Sequence, residues 1–75
     1  MGKGPQKHSL TLRGHRTSVT LEPEFWQAFR EIADKKSIAV NALAAQIDAL
    51  REPDTGLASA IRVYVLQQFR KTDRD

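Results

Sequence analysis

The N-terminal part of the chain alternates polar and apolar residues with a period of two. Leu10 and Leu12 stand between polar neighbours, and a second alternation runs from Thr17 to Leu21. Because successive side chains of a strand point to opposite faces, both stretches are predicted to be extended. The apolar parity changes near Gly14, which either a β-bulge or a simple turn would produce. One main N-terminal strand, ending at Leu21, is predicted.

A helix is predicted to begin directly after this strand. Pro23 cannot donate a hydrogen bond to a sheet, but it suits the first position of a helix. Leu21 and Trp26 then occupy the two positions of a hydrophobic staple. Apolar residues continue at helical spacing to about residue 35 and are predicted to lie in the core or a dimer interface: Phe25, Trp26, Ala28, Phe29 and Ile32.

Two further helices are predicted, at about 39–51 and 57–71, separated by a linker at residues 52–56 that is dense in turn residues. The buried face of the first is predicted to contain Val40, Leu43, Ala44, Ile47 and Leu50. Nine of the thirteen residues from 57 to 69 are apolar, including Ile61 and Val65. That is more than one helical stripe, so a partner chain is predicted to cover part of the last helix.

A single domain is expected at residues 9–71, between a flexible basic arm at 1–8 and a polar tail at 72–75. No internal repeat is found. Of the 75 residues, 40% are hydrophobic and 28% charged, which is globular composition, and there is no cysteine to form a disulfide or a thiolate metal site. A chain this short buries only about 60% of its unfolded surface, so we expect it to associate.

Positive charge is concentrated before the first helix. Residues 1–21 carry four lysines and arginines and no acidic residue (+4), whereas residues 22–75 carry eight basic and nine acidic residues (−1). This asymmetry favours contact with a polyanion. No metal motif, paired carboxylates, nucleophile-base set or glycine-rich phosphate loop is present. We therefore expect neither enzymatic activity nor a metal or other cofactor. Without an apolar run of about 20 residues or a secretory signal, no membrane contact and a cytoplasmic location are expected.

A lone strand leaves its backbone hydrogen-bonding groups unpaired. The expected remedy is the same strand of a second molecule, paired antiparallel about a two-fold axis, with Thr17, Val19 and Leu21 resting on the helices. Such a ribbon is narrow enough to enter the major groove of DNA, where arginine binds guanine and hydroxyl groups serve most base edges. The outer face would present three candidate base readers: Arg16, Ser18 and Thr20.

Three segments of the chain resemble the ribbon-helix-helix DNA-binding proteins, the group of the Arc and MetJ repressors, and most closely its short bacterial members. These segments are GHRTSVTLEPEFW at 14–26, Asn-Ala-Leu at 41–43 and Ile-Asp-Ala at 47–49, within a resemblance that covers about residues 8–70. The resemblance implies a mainly α fold with one N-terminal strand, forming an intertwined homodimer around an intermolecular two-stranded antiparallel ribbon. The C-terminal helix is an addition to the minimal pattern.

The resemblance also implies how DNA is bound. Bases would be contacted by Arg16, Ser18 and Thr20, and the phosphate backbone by the start of the second helix at Ala39, Val40 and Asn41. Lys7, Arg13 and His15 are predicted to contact the backbone as well. Two positions depart from the family pattern, which has glycine between the helices and Ser or Thr as the cap: here Ser37 and Ala39 stand there.

The sequence thus predicts a homodimeric transcriptional regulator, a repressor, that binds double-stranded DNA sequence-specifically. One alternative is a protein-interaction module or antitoxin component of the same fold, with a protein partner of unknown identity. Another is a helix-turn-helix monomer that reads DNA with residues 40–51. That helix is rich in alanine and has few base-reading side chains, which disfavours the second alternative.

Overall fold

Two strands and three helices follow one another in the computed structural model, which describes residues 4–73. The strands are β1 (Gln6–Leu12) and β2 (His15–Leu21), and the helices are α1 (Pro23–Lys35), α2 (Val40–Leu50) and α3 (Leu57–Asp73). The strands form one antiparallel sheet. Ribbon, helix and helix thus occur in that order, followed by an extra helix.

The ribbon is formed within one chain, so the prediction of a single strand paired only with a second molecule is corrected. β1 and β2 are joined by Arg13 and Gly14, both with positive φ, at 52° and 82°. A two-residue loop with this backbone matches the right-handed twist of its two strands. The change in the parity of apolar positions near Gly14 is therefore caused by a turn. Closing so short a loop costs less entropy than recruiting a second molecule, so the chain provides its own second strand.

The ends of the domain also differ from the predicted bounds. β1 begins at Gln6, so residues 6–8 of the predicted arm belong to the sheet, where backbone pairing with β2 orders them. At the other end α3 continues to Asp73, two residues into the predicted tail. Residues 1–3 of the predicted arm and residues 74–75 of the predicted tail lie outside the described residues.

The core lies between the inner face of the ribbon and the three helices. The ribbon contributes Leu10, Leu12, Val19 and Leu21, and the helices contribute Phe29, Ala33, Leu43, Ala44, Ile47, Ile61 and Val65. Phe25, Trp26 and Ile32 are partly buried against it. Two inward predictions are wrong: Thr17 is exposed near the turn, and Leu50 is 86% exposed because α2 ends there and Arg51 continues with extended backbone.

The junction between α1 and α2 accommodates serine where the family pattern has glycine. Ser37 has φ 59°, and its N–H donates to the Asp34 carbonyl while the Ile38 N–H donates to the Ala33 carbonyl, both at 3.0 Å. These two bonds form a Schellman motif, which satisfies carbonyls at the end of α1. Ala39 begins α2 without a side-chain cap. Ser37 thus adopts the left-handed conformation that glycine would adopt more easily, and α2 begins without a capping hydroxyl group.

An ion pair fixes α3 to the end of the ribbon. Arg62 donates from Nε to Glu22 Oε1 at 2.9 Å and from a second guanidinium nitrogen to Oε2 at 3.1 Å. The same guanidinium lies 5.8 Å from the centre of the Phe25 ring. These hydrogen bonds from Arg62 are the largest cause holding the pKa of the Glu22 carboxyl below its ordinary value of 4.5. Residues forty positions apart are thereby joined at the strand-to-helix corner.

We expect this ion pair to make stability depend on acid pH. Because the pKa of Glu22 is lowered in the folded state, the contribution of its carboxylate is complete above the unfolded pKa and is lost as pH falls through the folded pKa. Thermal unfolding of Glu22→Gln below pH 4.5 should therefore change less with pH than that of the unchanged protein. Glu24→Gln, which removes a nearby exposed carboxylate, is the control. An equal reduction of the pH dependence in both variants would contradict the assignment of this dependence to the ion pair of Glu22 and Arg62.

Candidate nucleic-acid interface

The outer face of the ribbon carries only polar side chains. Alternation along both strands places six exposed residues there: Lys7, Ser9, Thr11, Arg16, Ser18 and Thr20. They form three cross-strand pairs, with Ser9 opposite Ser18 between the other two pairs. The predicted readers in β2 thus lie together on one face. Ser9 and Thr11, which the sequence interpretation missed as site residues, lie beside them, and Lys7 stands opposite Thr20.

This face has the dimensions and chemistry of a groove reader. A strand rises about 3.4 Å per residue, so the outward residues of each strand extend over roughly 14 Å, or about four base pairs. Two strands about 4.8 Å apart fit a major groove about 12 Å wide. The two cationic side chains and four hydroxyl groups supply donors and acceptors for base edges, and no acidic side chain interrupts them.

The start of α2 lies beside β1 and is tied to it. The Thr11 N–H donates to Asn41 Oδ1 at 3.1 Å, so the first turn of α2 is fixed relative to the ribbon. Ala39 is exposed and Val40 is partly buried. Backbone N–H groups in the first turn of a helix lack intrahelical partners and bind phosphate readily. The structure thus combines a polar ribbon face with an adjacent helix start that is suited to an anion.

A comparison with protein families matches this arrangement. A sequence profile described as a ribbon-helix-helix domain matches residues 5–69. The chain belongs to the ribbon-helix-helix family. This family consists generally of DNA-binding regulators and is not a family of enzymes. No curated protein and no solved structure matches the chain.

The tip of the ribbon-helix-helix domain combines positive charge with an unfavourable backbone. Arg13 occupies the left-handed region, where glycine and asparagine are better tolerated. Its side chain is exposed at the turn, and that of His15 is exposed on the helix-facing side of β2. His15 and Thr17 lie in a shallow groove with Asp48 and Arg51. Two of the predicted backbone contacts, Arg13 and His15, are thus at the turn end of the ribbon and outside its outer face.

Replacing Arg13 by asparagine is expected to separate stability from DNA binding. A non-glycine residue in the left-handed region costs on the order of 1–3 kcal/mol, and asparagine relieves part of this cost. We expect a gain of about 1 kcal/mol, or roughly 4–8 °C in melting temperature. DNA binding should weaken on all sequences if Arg13 makes the predicted phosphate contact. Arg13→Ala is the matched control: it should weaken binding without stabilising the protein. Unchanged DNA affinity in both variants would remove Arg13 from the interface.

The only two histidines of this ribbon-helix-helix chain have separate surroundings. His8 stacks on Trp26 with ring centroids 3.9 Å apart and planes 8° from parallel, and its Nε2 is buried. His15 is at the other end of the ribbon. Among residues 4–73 there is no group of three or more His, Cys, Asp or Glu residues that could hold a metal ion. Within the same residues no helix is long and apolar enough to span a membrane.

Proposed function

We propose that this ribbon-helix-helix protein is a transcriptional regulator, acting as a repressor, that inserts its ribbon into the major groove of a specific double-stranded DNA sequence. The observation that carries the proposal is the outer face of the ribbon, where every side chain is polar, none is acidic and two are cationic. Cationic and hydroxyl side chains exposed on a narrow two-stranded ribbon are well suited to contact base edges in the major groove.

The proposal divides the contacts by position. Arg16, Ser18 and Thr20 contact base edges from the outer face of β2. The exposed Arg13 and His15 contact phosphates near the turn, since phosphate contacts fix the register of a protein on DNA without reading its sequence. The first turn of α2, with Ala39, Val40 and Asn41, contacts a phosphate beside β1. Lys7 was predicted to contact the backbone, but its place on the outer face favours a base edge instead.

Selection of bound fragments from random-sequence DNA tests this function. The purified protein should enrich one short sequence. Its affinity for that sequence should fall steeply as the salt concentration rises, because its lysine and arginine side chains displace counterions from the DNA. A reporter gene with the enriched sequence in its promoter should then be repressed by the protein. Equal affinity for all duplexes would contradict sequence-specific regulation, and increased reporter expression would contradict repression.

We further propose that the protein acts as a homodimer, associated through α3. Val63, Leu66 and Phe69 follow one another at three-residue spacing and are 53%, 55% and 57% exposed. Such a stripe of large apolar side chains on one helix is unfavourable in water. A second copy is the proposed occupant because the same stripe can cover itself about a two-fold axis, and ribbon-helix-helix proteins typically bind DNA as dimers.

If α3 forms the dimer interface, the melting temperature should rise with protein concentration, because association stabilises the folded state by mass action. Leu66→Lys should remove this dependence and give a folded monomer, since Leu66 lies outside the core. Gln46→Lys adds the same charge on the exposed side of α2 and should leave the dimer intact. Analytical ultracentrifugation at micromolar concentration measures the oligomeric state of both variants and of the unchanged protein. A monomer at every concentration would refute the homodimer and favour the alternative of a protein-interaction module or antitoxin component.

A further inference from the structure

The two strands of the ribbon are copies of one short sequence. Residues 7–12 read KHSLTL and residues 16–21 read RTSVTL. Ser, Thr and Leu are identical in the two segments, Lys corresponds to Arg and Leu to Val, and only the His–Thr position differs in character. The segments are nine residues apart. The sequence interpretation that found no internal repeat is therefore wrong at this scale, because a six-residue match is too short to stand out along a whole chain.

The pairing of the strands relates these copies by a local two-fold axis. Ser9 is opposite Ser18, and a two-fold axis through this pair carries each residue of β1 to the residue nine positions later in β2. The pair of Lys7 and Thr20 is thereby exchanged with the pair of Arg16 and Thr11. The inner face follows the same symmetry, since Leu10 and Val19 are each 3% exposed. The nine-residue repeat thus coincides with the symmetry of the hairpin.

We propose that one chain supplies both halves of the DNA-reading face, with Lys7, Ser9 and Thr11 reading bases as the counterparts of Arg16, Ser18 and Thr20. This inference rests on the proposed DNA-binding function. It means that the DNA segment under a single ribbon is an approximate inverted repeat, read by β1 on one side and by β2 on the other. A ribbon formed between two molecules would have two identical halves, whereas this one has a lysine half and an arginine half.

The difference between the halves follows from side-chain chemistry. Arginine presents a planar fork that binds guanine O6 and N7 together, whereas lysine presents a single compact ammonium group. Lys7 and Arg16 occupy symmetry-related corners of the outer face. The end of the site under Arg16 should therefore select guanine strongly, and the end under Lys7 should select it less strongly. The hydroxyl groups of the central pair, Ser9 and Ser18, lie over the middle of the site.

Random-sequence DNA selection with single variants tests this arrangement. Arg16→Ala should lower discrimination at one end of the site by roughly 5- to 150-fold, and Lys7→Ala should lower it at the opposite end by a smaller factor, about 5-fold. Lys7→Arg should make the selected sequence more symmetric by strengthening guanine selection at the weaker end. Lys36→Ala removes an exposed lysine outside the ribbon and should leave the selected sequence unchanged. Circular dichroism melting checks that each variant is folded.

The outcomes separate this inference from the proposed function. If Lys7→Ala weakens binding to all sequences alike and Lys7→Arg leaves the symmetry of the site unchanged, then Lys7 contacts only the phosphate backbone and the single-chain reading face is wrong. Sequence-specific binding by the unchanged protein would still stand in that case. If the unchanged protein selects no sequence at all, the proposed function itself fails.

Discussion

Replacing Leu21 by alanine is expected to lower the free energy of unfolding by about 2–5 kcal/mol, because truncating a buried leucine removes its transfer free energy and leaves a cavity. Leu21 has no exposed surface and ends β2 where the ribbon meets α1. A domain of this length has a total stability of about 4–11 kcal/mol. The melting temperature should therefore fall by about 8 °C or more, and part of the population should be unfolded at physiological temperature.

Thr20→Ala is the matched control for this prediction, because Thr20 is adjacent in the same strand but exposed on the opposite face. It should change the free energy of unfolding by less than about 0.5 kcal/mol. Chemical denaturation followed by circular dichroism measures both variants. Equal effects of the two substitutions would contradict the assignment of faces in β2. Any DNA-binding defect of Leu21→Ala should disappear when affinity is calculated for the folded fraction.

Replacing Arg16 by alanine is expected to have the opposite profile, with a large loss of specific DNA binding and almost no loss of stability. Arg16 is exposed on the outer face opposite Thr11, so its truncation should change the free energy of unfolding by less than about 0.5 kcal/mol. Loss of a bidentate contact to guanine should cost about 1–3 kcal/mol of specific binding for each Arg16 in the complex. Binding to unrelated DNA should fall much less, since only one cation is removed per chain.

A competition assay with the selected duplex and a scrambled duplex measures this difference. Arg70→Ala also removes one exposed arginine, from the last turn of α3, and should leave the ratio of specific to unrelated affinity unchanged. Two results would refute the role of Arg16. One is wild-type affinity of Arg16→Ala for the selected duplex, and the other is an unfolded variant. The first would mean that Arg16 makes no contact that contributes to specific binding, and the second would mean that its side chain is needed for folding.

Local chemistry is sufficient to predict most of the individual elements. Alternation along 17–21 predicts which side chains of β2 point outward, and Pro23 predicts the beginning of α1. Both predictions succeed because each feature depends only on residues one or two positions away in the sequence. The spacing of Phe29, Leu43 and Ile61 predicts the buried faces of the helices. Leu50 continues the same spacing but is exposed, because burial also requires a facing element, and α2 ends at this residue.

Pairing between elements is less visible in the sequence. Arg13-Gly14 is a weak signal for a two-residue hairpin, since such turns prefer asparagine or aspartate before glycine. The repeat in residues 7–12 and 16–21 was a second signal, but it is only six residues long. The ion pair between Glu22 and Arg62 has no local signal at all, because its partners meet only after three helices have packed.

Periodicity, proline placement and local motifs are sufficient to predict β2 and the three helices in their order, the polar outer face of β2 and the family. The pairing of β2 with β1 of the same chain is visible only in the folded molecule, and it adds Lys7, Ser9 and Thr11 to the candidate interface. This is because the edge of a strand can pair with any other strand that has free backbone hydrogen-bonding groups. The choice between its own chain and a second copy therefore depends on turn geometry and packing, which act between residues that are distant in the sequence.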